Sequence, residues 1–60
     1  MKIKIVVQST VSDAEWISEG ECEKDGDVEY GIKAALAAFR SQHPNNPPFE
    51  WKLLVGKADA

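Results

Sequence analysis

An antiparallel α+β fold, three strands with one helix packed on one face, is predicted by three features of this sequence. Residues 2–8 alternate apolar and polar with a period of two. Residues 28–39 carry apolar residues at a helical period. A breaker-rich loop then leads into a second alternating apolar run at 49–55. Between the first strand and the helix lies a further alternating segment, so the order is β-β-α-β.

The first strand, residues 2–8, sets Ile3, Ile5 and Val7 on one side and Lys2, Lys4 and Gln8 on the other; its β-branched content suits a pleated surface. Residues 9–13 are polar and form the turn. The second strand is placed at residues 14–23. There Ala14, Trp16, Ser18, Gly20 and Cys22 alternate with Glu15, Ile17, Glu19, Glu21 and Glu23. Lys24-Asp25-Gly26 turns the chain, and Asp27 is the expected helix N-cap.

The helix is predicted to run to Gln42. Val28, Ile32, Leu36 and Phe39 form its apolar stripe, four alanines favour it further, and Glu29 and Lys33 stand four residues apart in the better orientation. Gly31 weakens the first turn or admits a close neighbour. His43-Pro44-Asn45-Asn46-Pro47-Pro48 ends the helix. The third strand is placed at residues 49–55, with Phe49, Trp51, Leu53 and Val55 facing the core.

Strand order 2-1-3 follows if the third strand pairs with the first. The most β-branched strand is then central, the second strand is an edge guarded by charge, and the helix covers one face. The whole of residues 1–60 is read as one compact domain, with residues 56–60 a frayed tail. Such a domain buries only about 60% of the surface its unfolded chain exposes, so packing or a partner must hold it.

Composition narrows the function. Cys22 is the only cysteine and His43 the only histidine, so neither an internal disulfide nor a four-ligand Cys/His zinc site can be built. Lys4 interrupts what would be the apolar core of a signal peptide, and no run is long enough to span a membrane. The chain, opening on Met1, reads as a complete, soluble, cytoplasmic protein. Glu21, Glu23, Asp25 and Gly26 loosely imitate the start of a calcium loop, but Ile32 stands where the closing acid belongs. No Gly-rich phosphate loop is present, and no nucleophile has a base and an orienting group beside it. Neither an enzyme nor a cofactor is expected.

The charge is unevenly spread. Formal net charge is −3. Residues 13–29 hold eight of the ten acids against the single Lys24, a local charge of −7. The other residues carry six basic side chains against Glu50 and Asp59, or +4. All eight acids fall at odd positions. Alternate residues of a strand project from the same side about 6.6 Å apart. Glu15, Glu19, Glu21 and Glu23 therefore form a row, which Asp25, Asp27 and Glu29 continue onto the helix start.

Such a row is ordinarily just a solvated sheet face. Read functionally, it docks on something basic, and its spacing is similar to the charge pattern of a nucleic-acid backbone. The acidic balance argues against direct nucleic-acid binding. The expectation is a non-enzymatic binding protein that occupies a basic surface of a nucleic-acid-handling protein, with Glu15, Glu19, Glu21, Glu23, Asp25, Asp27 and Glu29 as contacts. Small acidic proteins of this type are often phage or mobile-element inhibitors, anti-CRISPR proteins and DNA mimics among them. The alternative is an assembly subunit that forms a homodimer, or docks, through a sheet edge.

Overall fold

The computed structural model describes residues 1–58. Strand β1 (Lys2–Ser9) lies between β2 (Glu15–Glu21) and β3 (Trp51–Lys57), antiparallel to both, and helix α1 (Asp25–Gln42) packs on one face. This is the predicted β-β-α-β order, and the sheet order is 2-1-3.

Register fixes the two faces. Ile3, Ile5 and Val7 stand beside Gly20, Ser18 and Trp16 on one flank and Lys57, Val55 and Leu53 on the other. This is the helix side. On the open side, Lys4, Val6 and Gln8 stand beside Glu19, Ile17 and Glu15, and beside Gly56, Leu54 and Lys52. Ile3, Ile5, Val7, Ala35 and Phe39 form the buried core, with Trp16, Cys22, Val28, Ile32, Leu36 and Trp51 packed half-buried around it. Both tryptophans thus meet the core on the expected face.

The helix differs from expectation in two ways. It begins at Asp25, with Lys24 as an N-cap that makes no side-chain cap bond. Asp27 is inside the first turn, where its Oδ2 accepts the Glu23 backbone N–H at 2.9 Å. The carboxylate therefore closes the turn from within the helix rather than capping it from outside. The most buried helical residues are Phe39 and Ala35 rather than the whole predicted stripe. Ala35, one turn past Gly31, is 2% exposed and so lies against the sheet as part of the core.

The third strand starts later than predicted. Pro48–Glu50 forms a 3-10 turn, in which the Glu50 N–H donates to the Pro47 carbonyl at 2.9 Å. Phe49 therefore does not join the core face; it is 85% exposed. Proline at the start of the turn presets the dihedral that a tight turn needs. The strand also continues further, since Gly56 and Lys57 belong to β3 and the Ala58 N–H donates to the Lys2 carbonyl at 2.9 Å. The expected fraying at 56–60 thus fails for 56 and 57, and positions 59 and 60 lie outside the described residues. The second strand is shorter than predicted, ending at Glu21.

Helix α1 rests on β1 and β2. Only three residues join β2 to α1, so the helix must begin beside β2. Its far end returns over the sheet at Phe39, whose ring meets Trp51 edge-on at 5.1 Å between centroids. Leu53 and Val55 face the helix side but lie beyond its cover.

Candidate protein-interaction surfaces

Two surfaces stand out, one charged and one apolar. The charged one begins on β2. Glu15, Glu19 and Glu21 project from the open side, and Ile17 interrupts the row between Glu15 and Glu19. Gln8 Nε2 donates to Glu15 Oε2 at 2.8 Å, Lys2 Nζ lies 3.5 Å from Glu19 Oε1, and the Met1 ammonium lies 3.3 Å from Glu21 Oε1. Lys2 and the N-terminal ammonium thus partly neutralise Glu19 and Glu21, while Gln8 adds an uncharged hydrogen bond to Glu15. Both ion pairs are exposed, so each contributes at most about 1 kcal/mol.

The acids that follow are arranged differently. Glu23, Asp25, Asp27 and Glu29 make no ion pair among the described residues. The chain bends between β2 and α1, and the Cys22 N–H donates to the Met1 carbonyl at 2.8 Å, which ties the bend to the start of β1. Glu23 and Asp25 are among the residues that line a cleft of about 400 Å³. Met1, Ile3, Cys22 and Val28 supply its apolar lining, and the cations among its lining residues are the Lys24 side chain and the Met1 ammonium, which is held by Glu21 and the Cys22 carbonyl. The seven predicted contact residues therefore divide into two groups. Glu15, Glu19 and Glu21 lie on the sheet face; Glu23, Asp25, Asp27 and Glu29 surround the helix start. Within the second group, Asp25 and Asp27 also stand in the first turn, beside the positive end of the helix dipole.

The apolar surface was not anticipated. Leu53, Leu54 and Val55 of β3 are 41%, 43% and 43% exposed. Leu54 continues across the open side through Val6 to Ile17, a row of three apolar side chains spanning all three strands. The signal was present in the sequence. Leu53-Leu54-Val55 is an unbroken apolar run, and a strand covered on one face only should alternate.

Cys22 is half-buried against the core, in line with its expected facing. His43 caps the helix end, where its N–H donates to the Phe39 carbonyl at 2.9 Å and its ring lies 4.8 Å from that of Phe39. No cluster of three or more metal-ligating side chains occurs among the described residues. No helix among them is long and apolar enough to cross a membrane. Compared with protein-family models, curated proteins and solved structures, the chain finds no match, so the reading of its function rests on its own surfaces.

Proposed function

We propose that this chain is a non-enzymatic binding protein whose acidic end, where β2 turns into α1, docks on a basic surface of a protein partner. The observation that carries this reading is a cleft lined together by apolar residues and by Glu23 and Asp25. A lysine or arginine side chain has the same two-part character, an aliphatic stem ending in a cation. Its stem can lie against Ile3, Cys22 and Val28 while its head meets Glu23 and Asp25. Asp27 and Glu29, which make no ion pair among the described residues, extend the negative field along the helix start and steer a basic partner toward the cleft. Proteins that handle nucleic acid present basic grooves of this kind, and the chain would act on them as an inhibitor by occupying such a groove.

A short arginine-rich peptide titrated into isotope-labelled protein tests this. Amide shifts should concentrate at Ile3 and residues 21–28, shrink as salt is raised, and vanish in Glu23→Lys/Asp25→Lys. Shifts spread evenly along all the acids, Glu15 included, would leave the acidic segment as a solvated face.

A further inference from the structure

The two edges of the sheet are unlike. The β2 edge carries Glu15, Glu19 and Glu21 along its length. Edge strands are commonly protected from pairing by such charges. The β3 edge has Lys52 near one end and Lys57 at the other, with only Leu53, Leu54, Val55 and Gly56 between them. No helix covers it, and its three central apolar side chains are each more than two-fifths exposed.

The backbone of that edge is self-complementary. The Thr10 N–H donates to the Glu50 carbonyl, and the Ala58 N–H donates to the Lys2 carbonyl. Even-numbered residues of β3 therefore turn their N–H and C=O groups toward β1. The odd-numbered residues Leu53, Val55 and Lys57 turn theirs outward, whereas the Trp51 N–H is taken by the Pro48 carbonyl and only its C=O is free. An antiparallel second copy with Leu54 on the two-fold axis sets Leu53 opposite Val55 and Trp51 opposite Lys57, in both directions. Leu53 and Val55 then exchange both bonds in each direction and the Lys57 N–H meets the Trp51 carbonyl, so only the Lys57 carbonyl of each copy is left over. Centring the axis on Leu53 leaves both groups of Lys57 unpaired; centring it on Val55 leaves one carbonyl per copy, that of Trp51, so the side chains decide between that register and the one at Leu54.

The side chains agree with the register at Leu54. Leu53 meets Val55 on the helix side. On the open side Leu54 meets Leu54 of the second copy, as a non-hydrogen-bonded pair, the closer kind. Lys52 falls opposite Gly56, and Lys57 falls opposite Trp51, whose indole already has Arg40 over it at 5.3 Å. No lysine faces a lysine.

We propose that two copies of this chain pair through β3 about a two-fold axis at Leu54, forming a continuous six-stranded sheet of order 2-1-3-3-1-2. Six strands is an ordinary sheet width. The axis runs perpendicular to the sheet, so both helices lie on one side, separated by a floor of Leu53 and Val55 from each copy. The charged β2 strands become the outer edges, and the acidic clefts stand at the two ends of the pair. This inference is independent of the basic-partner reading, since none of the β3 residues belongs to the cleft.

Sedimentation velocity on the whole chain across a range of concentrations tests it, with two kinds of variant. Val55→Pro deletes an N–H that points away from β1, so the internal ladder is kept while the edge is blocked. Leu54→Lys and Leu54→Glu each put like charges on the axis. Each of the three should dissociate the pair by roughly tenfold or more, with the parent circular dichroism spectrum retained. Mixing the Lys and Glu variants should restore a dimer, now of one copy of each, because only a residue on the axis meets its own counterpart. A parent that stays monomeric throughout overturns the proposal. So does a dimer that survives Val55→Pro, which would instead use the open side at Ile17, Val6 and Leu54. Failure of the mixed charge variants to associate while Val55→Pro dissociates the parent overturns the register.

Discussion

The Ile5 side chain occupies the space beside Gly31: a Cβ built on Gly31 would stand 3.0 Å from Ile5 Cδ1. Sheet and helix approach so closely there that the helix carries glycine in its interior, despite an intrinsic cost of about 1 kcal/mol relative to alanine. Gly31→Ala in the parent should therefore yield no net gain, because crowding offsets the better propensity. Ile5→Val removes Cδ1, and in that background Gly31→Ala should stabilise by about 0.5–1 kcal/mol. Urea denaturation of the four proteins gives the coupling; strict additivity would show that the contact does not decide the residue.

Phe39 is fully buried, with Trp51 edge-on at 5.1 Å and His43 at 4.8 Å. Phe39→Ala should cost about 3–5 kcal/mol, which for so small a domain approaches its whole stability. A thermal melt within a degree or two of the parent would contradict the role of Phe39 as the centre of the core.

Trp51 Nε1–H donates to the Asn46 carbonyl at 3.1 Å, and Arg40 lies over the indole at 5.3 Å. Trp51→Phe keeps a ring against Phe39 but leaves that carbonyl without its donor. A loss of about 1–2 kcal/mol in chemical denaturation is expected. Trp51→Ala should lose distinctly more, since the packing goes as well; equal losses would deny the ring its part in the core.

Ser9 Oγ gathers the two loops at one end of the sheet. It accepts from the backbone N–H groups of Val11 and Ser12 at 3.1 Å each and from Asn46 Nδ2 at 3.0 Å. Ser9→Ala should destabilise by about 1 kcal/mol and speed amide exchange at Val11 and Ser12 together with the loop near Asn46. Faster exchange on the β1–β2 turn alone would mean that Asn46 holds its loop without Ser9.

Glu19→Lys/Glu21→Lys should keep the fold. Its cost in low salt is about 1 kcal/mol, because the new lysines stand opposite Lys2 and Lys4, and it should shrink as salt rises. A salt-independent loss would mean that these glutamates support packing rather than charge balance.

The element types and the facing of β1 and β2 were legible because each rests on local periodicity, and the strand order because the most β-branched strand belongs at the centre. Ile3, Ile5 and Val7 alternate cleanly, and the alanine-rich stretch with Val28, Ile32 and Phe39 has only one helical solution. The third strand misled at its start. Phe49 continues the apolar alternation back from Trp51, yet Pro47 and Pro48 draw it into a turn that exposes its ring. The helix start misled for a related reason. An aspartate can satisfy a turn from inside it as well as from outside, and the Asp27–Glu23 bond takes the first course.

The candidate surfaces divide in the same way. That the acids crowd into residues 13–29 is a property of the sequence, as is the expectation that alternate ones share a face. Which acids are balanced depended on the register of β1 against β2, which brings Lys2 to Glu19 and leaves Glu23 and Asp25 at the cleft. Periodicity reports which side of a strand is apolar, and it is silent on how far a helix reaches across the sheet. The short link after β2 holds α1 over β1 and β2, and so only the tertiary structure could leave Leu53 and Val55 uncovered.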